Sequence, residues 1–403
     1  MRLLLSVLIA GVLASCALHG KPLSSEPTEA GFAAWVKDFR KQAKRDGVSK
    51  QILNTAFSNV QLNQDVLKRD AYQPEFVKPV WAYLDTAVSS TRVKNGRSKY
   101  QQHRALLEKV AAEYQVAPSL LVAIWGLETA YGATFGGFNV VESLATLGYA
   151  GRRAAFWEQQ LLAALQIIDN GDIAASQMIG SWAGAMGHTQ FMPTSFQERA
   201  VDYDGDGRRD IWGSFGDVFA STANFMQRAK WQNGESWGAP VQLPRNFDWA
   251  LADSSVKKSV ADWRALGVKG LSGRALPQTA GEASILLPAG HRGPAFIVLP
   301  NFNAIKRYNN STAYALAIGL LSDRVAGASA QALNWPKNAV PLNRAQYKEM
   351  QTLLTQQGFD TKGIDGIFGA NSRKALRAWQ LQTGIVPDAF ATMQQLERLR
   401  QTR

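Results

Sequence analysis

The stretch PSLLVAIWGLETAYG, from Pro118 to Gly132, combines an apolar helical pattern with a single acidic residue, Glu128. Proline is tolerated at the first position of a helix, and glycine commonly ends one. The sequence therefore predicts a buried helix that begins near Pro118 and ends at Gly132. Burial of a carboxylate without a partner is costly, so the position of Glu128 requires an explanation.

The predicted surroundings of Glu128 favour its protonated form. On a helix, its neighbours three and four residues away are Ile124, Trp125 and Tyr131. Apolar and aromatic neighbours disfavour the charged carboxylate, and the partial negative charge of a helix C-terminus adds to this effect. A proton retained near neutral pH is what a general acid needs. The alternative is a glutamate at the rim of the fold that pairs with an arginine distant in sequence, and the residues alone leave both open.

Composition and charge indicate a globular protein with an anionic partner. The 403 residues are 46% hydrophobic and 19% charged, and this length favours two or more domains. Lys and Arg number 44 against 32 Asp and Glu, a formal net charge of +12. Such a balance suits nucleic acid, anionic lipid or a cell-wall polymer. No compact basic and aromatic block singles out nucleic acid, so we expect no nucleic-acid partner.

The N-terminus predicts export and lipidation. Residues 1–15 have a short basic start and an apolar run from Leu3 to Leu13. The run is shorter than the roughly 20 residues that span a bilayer, so it predicts a signal peptide. Its ending resembles a bacterial lipobox, which implies a lipid anchor on Cys16, and Ala17 implies the periplasmic side of the outer membrane. A buried free cysteine is the alternative. No second cysteine is present to form a disulfide.

The rest of the chain divides into four segments. Residues 16–31 are a polar tether, and residues 32–324 form a mainly helical domain with apolar residues three and four apart. Within that domain, residues 238–300 are richer in Gly, Pro and short apolar runs, and we expect the only strands there. Residues 325–341 are rich in small residues and proline, which predicts a linker. Residues 342–403 then predict a compact helical unit.

Two motifs together resemble the membrane-bound lytic murein transglycosylase B family. The first is GLETAYG around Glu128, and the second is SWAGAMGHTQFMPTS, residues 181–195. The resemblance covers about residues 32–324. It implies a mainly α, lysozyme-like catalytic domain with a small β-containing subdomain, which cleaves peptidoglycan strands. It also implies that Glu128 is the catalytic acid and base.

The second motif also suits a sugar-binding loop. Gly184 and Gly187 remove side chains where a sugar polymer would approach the backbone. Neutral donors and acceptors suit sugar hydroxyl and acetamido groups, and apolar side chains suit the floor of a subsite. The candidate substrate-binding residues are Ser181, Gln190, Phe191 and Met192. Taken without the family, the motif is equally a tight turn between helices. We assign no role to His188.

A downstream segment, NFNAIKRYNNS at residues 301–311, resembles the family segment that returns polar side chains to the cleft. The resemblance implies that Tyr308, Asn309 and Tyr314 line the groove. Tyrosine faces stack on sugars, and an asparagine amide can orient an acetamido group. Without the family, these would be ordinary residues at the start of a helix.

One carboxylate is enough for the chemistry that the resemblance implies. Glycosidases generally use two, but neither motif holds a second acid, and Glu142 and Asp169 have no comparable setting. In the implied reaction, Glu128 first protonates the glycosidic oxygen between MurNAc and GlcNAc. It then takes the proton of the muramic C6 hydroxyl, which gives a 1,6-anhydromuramoyl product. The alternatives are a hydrolytic muramidase and a non-catalytic peptidoglycan-binding lipoprotein.

The segment DYDGDGRRD, residues 202–210, follows the spacing of an EF-hand calcium loop with one departure. Carboxylates at alternate positions and a backbone carbonyl would be the ligands: Asp202, Asp204, Asp206, Arg208 and Asp210. The glutamate expected at the final position is replaced by Gly213, and we expect Asp217 to substitute. The sequence thus predicts a structural Ca²⁺ site, and an Asp-Gly turn without metal is the alternative.

The C-terminal segment resembles a peptidoglycan-binding module of three short helices. The resemblance rests on DGIFG at residues 365–369, followed by Ser372, Ala375, Leu376, Trp379 and Gln380. Such a module would hold an enzyme on its insoluble substrate. A generic helical appendage is the alternative. The expected partners are thus peptidoglycan strands and the outer membrane, and other cell-wall enzymes are left open.

Overall fold

The structure, a computed structural model, describes residues 26–71, 78–339 and 341–401. The predicted signal peptide, the lipidation site Cys16 and most of the predicted tether lie outside the described residues. Within the part described, no single helix is both long and apolar enough to cross a membrane. The neighbouring helices Arg104–Tyr114 and Pro118–Thr129 together are long and apolar enough to cross one, but they meet at a bend of 111°.

The N-terminal part of the fold is helical. Its helices are α1 Glu29–Arg45, α2 Lys50–Ala56, α3 Gln64–Ala71, α4 Val80–Ala87, α5 Ser90–Gln102 and α6 Arg104–Tyr114. Helix α1 begins inside the predicted tether, because the side chain of Thr28 accepts a hydrogen bond from the backbone N–H of Gly31. Such a cap satisfies one of the free donors at a helix start. We expected the helical domain to begin at residue 32. Its first helix begins three residues earlier, at Glu29.

The Glu128 helix is α7, Pro118–Thr129. It begins with a proline, as predicted, and ends where Ala130 adopts a left-handed conformation with φ 51°, two residues before the predicted stop at Gly132. Every residue from Ser119 to Gly126 is buried. The apolar sequence is therefore explained by a core helix, and Glu128 lies in its last turn.

The remaining helices of the large domain are α8 Val140–Ala150, α9 Ala154–Asp169, α10 Pro193–Arg199, α11 Phe215–Arg228, α12 Val260–Ala265, α13 Pro300–Tyr308 and α14 Thr312–Val325. Helix α7 packs against α14, α5, α6 and α11. Helix α14 ends at Val325, the last helical residue of the large domain. Because α14 lies against α7, its first turn is brought to the Glu128 end of the domain.

Two small antiparallel sheets complete the large domain. The larger has the strand order β4-β3-β6-β5, formed by β3 Gly238–Gln242, β4 Lys269–Gly270, β5 Ser284–Leu286 and β6 Ala295–Val298. The smaller pairs β1 Phe138–Asn139 with β2 Ile179–Gly180. The expectation that all strands lie within residues 238–300 was therefore wrong. A pair of two-residue strands is too short to leave a periodic pattern.

Two hydrophobic clusters meet near the end of α7. One contains the apolar residues of α7, α11 and α14, and the other contains those of α8, α9 and the second motif. Phe225 and Tyr308 contact both clusters. The junction of the two clusters therefore holds the segment that follows Glu128 and the second motif close together.

The linker and the C-terminal module are packed against the large domain. Residues 327–339 form no helix or strand, but Leu333 and Trp335 pack on the cluster that contains α7. The module consists of α15 Arg344–Gln356, α16 Ala370–Gln382 and α17 Met393–Gln401, around a core of its own. The sequence correctly predicts a compact helical unit here.

Polar contacts attach the module to the β-containing region. Arg377 of α16 forms an ion pair with Asp253 and donates to the carbonyl oxygen of Ala252 at 2.7 Å. The buried carboxylate of Asp388 accepts from the backbone N–H of His291 at 3.0 Å, and the His291 Nδ1 lies 2.6 Å away. The module is therefore held by specific contacts in addition to the linker.

Candidate active site

Glu128 forms one short hydrogen bond to a tyrosine from α14. The hydroxyl of Tyr314 donates to Oε1 of Glu128 at 2.6 Å. Ser311 caps α14 by accepting from the backbone N–H of Tyr314, so the tyrosine is held in the first turn. The carboxyl and its donor are separated by nearly half the chain in sequence. They meet only because α14 packs against α7.

The pKa of Glu128 is raised from 4.5 to about 7. Burial of the carboxyl among apolar groups is the dominant cause, and the hydrogen bond from Tyr314 acts in the opposite direction. The residue as a whole nevertheless remains partly exposed. The raised pKa agrees with the predicted retention of a proton near neutral pH.

No cation neutralises Glu128 among the described residues. A glutamate at the rim of the fold would pair with an arginine. Within residues 26–71, 78–339 and 341–401, Glu128 forms no ion pair. A nearby arginine, Arg92, instead donates to the backbone carbonyl oxygen of Gly126 in α7. The carboxyl is therefore an unpaired acid, and the alternative reading of a salt-bridged glutamate does not hold.

Two further tyrosines surround this carboxyl. The ring of Tyr308 lies almost parallel to that of Tyr314, with centroids 6.5 Å apart, and its hydroxyl donates to the carbonyl oxygen of Thr189 at 2.5 Å. Tyr83 of α4 was not predicted: its pKa is raised to about 12 by burial and by the charge of Glu128. Nothing in the α4 sequence distinguishes Tyr83 from a core aromatic, so only the packing of α4 reveals its place.

The two carboxylates considered as a second acid lie elsewhere. Glu142 accepts from the Asn63 side chain at 2.8 Å and from the backbone N–H of Gln61 at 3.2 Å. Asp169 accepts from the backbone and hydroxyl of Ser49. Both therefore hold N-terminal helices in place. Neither contributes to the shift in the pKa of Glu128.

The second motif is a loop closed by its own side chains. The hydroxyl of Ser181 accepts from the backbone N–H groups of Ala183 and Ala185, at 3.3 and 3.0 Å. Gln190 adopts a left-handed conformation with φ 50°, and its Nε2 donates to the carbonyl oxygens of Gly187 and Phe135. Both residues stay partly exposed. Their contacts shape the loop and leave any sugar contact to be tested.

The two glycines of the loop are required by protein packing. Gly184 and Gly187 have φ values of 82° and 61°, which glycine tolerates best. A Cβ at Gly184 would lie 2.6 Å from the Leu144 side chain, and one at Gly187 would lie 2.7 Å from the carbonyl oxygen of Ile211. Our expectation that they make room for a sugar needs correction, because the close neighbours belong to the protein itself.

The structure places three more of the predicted sugar-contacting residues, and one of them is buried in the core. Phe191 is only 2% exposed and packs against Phe225 and Tyr308, so its ring belongs to the core and cannot floor a subsite. Asn309 is exposed, and its side chain accepts from the backbone N–H of Ser311. Met192 is partly buried and caps the start of α10. The prediction for Phe191 was wrong, because apolar character does not distinguish a core ring from a subsite floor.

His188 has a structural place that the sequence did not reveal. It is 7% exposed, and its Nδ1 accepts a hydrogen bond from the indole N–H of Trp125 at 2.8 Å. Burial lowers its pKa to about 4. The imidazole is therefore neutral at physiological pH.

The acidic loop brings together three of the six predicted metal ligands. Carboxylate oxygens of Asp202, Asp204 and Asp217 lie within 4.8 Å of one another. Asp217, the predicted substitute for the final glutamate, is fully buried, and burial raises its pKa. Among residues the structure describes, these three form the one acidic cluster suited to a cation.

The other predicted ligands point elsewhere. Asp206 pairs with the side chain of Arg208 at 2.9 Å, and Asp210 accepts from the backbone N–H groups of Trp212 and Gly213. Oxygen donors of the remaining cluster suit a hard cation such as Ca²⁺. The loop therefore fits a cation, with fewer side-chain ligands than its spacing suggests.

Comparison with known proteins identifies the family of the chain. The chain matches the Transglycosylase SLT domain family over residues 31–323 and the Putative peptidoglycan binding domain family over residues 343–399. It is 31% identical over 307 residues to Membrane-bound lytic murein transglycosylase B of Escherichia coli (strain K12), covering 72% of this chain and 82% of that relative.

Solved structures share the fold over most of the chain. SltB3 from Pseudomonas aeruginosa, in complex with NAG-anhNAM-pentapeptide, is 50% identical with a TM-score of 0.88, over 92% of this chain and 99% of that one. Escherichia coli SLT35 in complex with calcium is 29% identical with a TM-score of 0.61, over 74% of this chain and 93% of that one.

The fold and these family matches define a lysozyme-like enzyme that cleaves a glycan. The chain belongs to the membrane-bound lytic murein transglycosylase B family. It is a peptidoglycan lytic transglycosylase with a C-terminal peptidoglycan-binding domain. The predicted mainly α fold, with a small β-containing part and a helical C-terminal unit, is confirmed.

Proposed function

We propose that Glu128 serves this lytic transglycosylase as its single catalytic acid and base. The observation that carries the proposal is the Glu128 carboxyl itself. Within the described residues it forms no ion pair, it accepts a hydrogen bond from the Tyr314 hydroxyl at 2.6 Å, and its pKa is raised to about 7. A group with a pKa near the working pH can both give and take a proton. These properties suit a residue that plays both roles in one turnover.

In the first step, Glu128 donates its proton to the glycosidic oxygen between MurNAc and GlcNAc, and the bond from that oxygen to the MurNAc anomeric carbon breaks. In the second step, the resulting carboxylate removes the proton of the MurNAc C6 hydroxyl, whose oxygen bonds to the same anomeric carbon. The product is a 1,6-anhydromuramoyl end, and no water is consumed. The NAG-anhNAM-pentapeptide bound by SltB3 supports this product for the present chain.

The tyrosines stabilise the carboxylate and face the sugars in this proposal. Burial raises the pKa of Tyr314 well above its usual value, so its hydroxyl keeps the proton that it donates to Glu128. Tyr308 and Tyr83 lie close enough for the Glu128 charge to affect their pKa values. We assign substrate contacts to Tyr308 and Tyr83 and to Ser181, Gln190, Met192 and Asn309. Tyr314, which is only 4% exposed, acts on Glu128.

Product analysis of Glu128→Gln tests the assignment. Glutamine keeps the shape of the side chain but cannot donate a carboxylic proton, so digestion of purified sacculi should fall by about 10²- to 10⁴-fold. Glu282→Gln, at an exposed position of the large domain, is the matched control and should digest at the wild-type rate. Mass spectrometry of wild-type products should show anhydromuramic ends. Reducing ends would instead support a hydrolytic muramidase.

We also propose that the acidic loop holds Ca²⁺ through Asp202, Asp204 and Asp217. The support is their convergence within 4.8 Å and the calcium bound by SLT35. A bound calcium ion would supply positive charge that offsets the repulsion among the three carboxylates. Within the loop, Asp202 already accepts from the backbone N–H groups of Gly205 and Gly207, which orients its oxygens.

For localisation, we propose a lipid anchor on Cys16 at the periplasmic side of the outer membrane. The support is the lipobox-like sequence before Cys16 and the membrane-bound relative of Escherichia coli. The C-terminal module would then keep the anchored enzyme on peptidoglycan strands. Cys16→Ser should move the protein from the membrane fraction to the soluble periplasmic fraction. Retention of this variant in washed membranes would contradict the anchor.

A further inference from the structure

The His188 ring connects the catalytic helix to the acidic loop. Its Nδ1 accepts from the indole N–H of Trp125, in the turn of α7 that precedes Glu128, at 2.8 Å. Its backbone N–H donates to the carbonyl oxygen of Ile211 at 2.9 Å, and the ring also hydrogen-bonds to the backbone of Trp212. One residue thus contacts α7, its own motif and the segment that follows Asp210.

These hydrogen bonds define the protonation of the ring. Because Nδ1 accepts from Trp125, the proton of the neutral imidazole is on Nε2, the nitrogen left for the backbone of Trp212. Both ring nitrogens are then satisfied inside the core. A ring held at two points cannot rotate without leaving a buried polar group unpaired, which is costly.

His188 also packs under the turn after Glu128. A Cβ at Gly132 would lie 2.4 Å from Cε1 of the imidazole, so the turn lies directly on the ring. Gly132 has a φ of 85°, which places it in the left-handed region. The imidazole therefore fixes the chain on both sides of Glu128: through Trp125 before it and through Gly132 after it.

On its other side, His188 meets the acidic loop. The carboxylate of Asp217 accepts from the backbone N–H of Asp210 at 2.6 Å, just before Ile211 and Trp212. Asp217 is thus connected to Trp125 by three hydrogen bonds and the covalent chain between them, through the backbone of Asp210 and Ile211 and through His188. The loop and the catalytic helix share no comparably direct polar link through another histidine, since His103 meets Trp125 only by an edge-on ring contact.

We propose that His188 is a positioning residue, which transmits the arrangement of the acidic loop to the end of α7 and fixes the carboxyl of Glu128. The inference rests on the proposed role of Glu128. A rigid ring with two directed hydrogen bonds holds an acid where its proton must be transferred. A displacement of about 1 Å at such a group can reduce the rate about a hundredfold.

Substitutions of His188 separate positioning from stability. His188→Asn keeps an acceptor near the Nδ1 position for Trp125, whereas His188→Gln and His188→Phe do not. With soluble uncrosslinked glycan strands as substrate, we expect kcat of the Gln and Phe variants to fall about tenfold to a hundredfold, with KM within about twofold of wild type. The Asn variant should recover most of kcat. The fraction of folded protein is measured by circular dichroism, and rates are expressed per folded enzyme.

His103→Phe is the matched control, because His103 touches the same tryptophan ring without a hydrogen bond to it. Its kcat should remain within about twofold of wild type. Equal loss of kcat in the Asn and Gln variants would overturn the proposal, since only one keeps the acceptor. So would a rise in KM at constant kcat, or a loss confined to melting temperature. Full activity of Glu128→Gln would instead refute the catalytic assignment and is measured separately.

A double-mutant cycle tests the link to the loop. Asp204→Asn weakens the acidic cluster, and we expect it to lower both the melting temperature and kcat in the wild-type background. In the His188→Gln background it should still lower the melting temperature but no longer change kcat, because the path to α7 is already broken. Additive effects on kcat, or no effect of Asp204→Asn on kcat in wild type, would show that the loop does not act through His188.

Discussion

The two ends of α14 each meet a carboxyl with a raised pKa, and we propose a catalytic role for only one of them. At the first turn, Tyr314 donates to Glu128, whose pKa is about 7. In the last turn, Asp323 accepts from the indole N–H of Trp237 at 3.0 Å, and burial raises its pKa to about 6. Burial is the main cause at both ends, so the same physical effect occurs twice on one helix.

The difference lies in what surrounds each carboxyl. Glu128 lies beside the stacked pair Tyr308 and Tyr314 and near the second motif, whereas Asp323 lines a cavity of about 420 Å³ with Arg274 and Gln331. The charge of Arg274 also lowers the pKa of Asp323, and no comparable cation acts on Glu128. A raised pKa therefore identifies a candidate acid, but aromatic groups able to hold a sugar determine where it can act.

The largest expected effect is a difference in digestion rate between substitutions at the two ends of α14. Glu128→Gln should lower the digestion of sacculi by about 10²- to 10⁴-fold, because the proton donor is lost. Asp323→Asn keeps an oxygen that can accept from Trp237 and should digest at close to the wild-type rate. Turbidity of a sacculus suspension measures both. A comparable loss of digestion rate in Asp323→Asn would show that both carboxyls are needed for activity and would contradict a catalytic role confined to Glu128.

The second prediction compares the two side chains that donate to these carboxyls, Tyr314 at Glu128 and Trp237 at Asp323. Glu128 must be protonated to act as an acid, so kcat/KM should fall as pH rises through about 7. The Tyr314 hydrogen bond lowers the pKa of Glu128, so Tyr314→Phe should move this fall to higher pH and reduce kcat about tenfold. Trp237→Phe removes the corresponding donor from Asp323 and should leave the pH profile in place. An unshifted profile in Tyr314→Phe would contradict this account of the Glu128 pKa.

A third, smaller effect concerns another buried carboxylate, Asp217. It lies with Asp202 and Asp204, and its pKa is raised, so a cation should stabilise the cluster. Saturating Ca²⁺ should raise the melting temperature by about 5 °C relative to excess chelator. Differential scanning calorimetry measures the change, and Asp204→Asn should reduce it. An identical melting temperature with Ca²⁺ and with chelator would refute the calcium site.

The smallest effect is common to both ends of α14. The pKa of Glu128 rises from 4.5 to about 7, and that of Asp323 from 3.8 to about 6. A raised folded-state pKa means that the carboxyl ionises at a lower pH in the unfolded chain than in the folded protein. The free energy of unfolding therefore falls as pH rises from the unfolded-state pKa to the folded-state pKa of each group. Glu128→Gln and Asp323→Asn should therefore gain melting temperature relative to wild type at pH 8, and the gain should vanish below about pH 4. A gain that is the same at both pH values would contradict the raised pKa values.

The sequence was informative where function depends on one segment. The apolar run before Glu128 predicted a core helix, which is confirmed, and a carboxyl that keeps its proton, with which the raised pKa of Glu128 agrees. The DGD spacing in the loop predicted an acidic cluster, including Asp217 in place of the usual glutamate. Local patterns of this kind are readable because the helix and the loop each fix their own side-chain directions over a few residues.

The sequence was less informative where a contact joins distant segments. Phe191 is apolar in either setting, so its sequence did not distinguish a core ring from a sugar platform. Tyr83 lies in an unremarkable amphipathic helix, and His188 carried no readable role. The strands β1 and β2 were missed because each has only two residues. In all of these, the deciding neighbour is remote in the chain.

The sequence by itself determined the helical class, the buried helix whose last turn contains Glu128 and the compact helical unit at residues 342–403. Tertiary structure alone decided that Tyr314 meets Glu128, that Arg92 is engaged by Gly126 rather than by the acid, and that the module is attached through Arg377 and Asp388. The reason is physical. Periodicity and burial are local properties of a segment, but a pKa and a binding surface depend on which segments the packing of the core brings together.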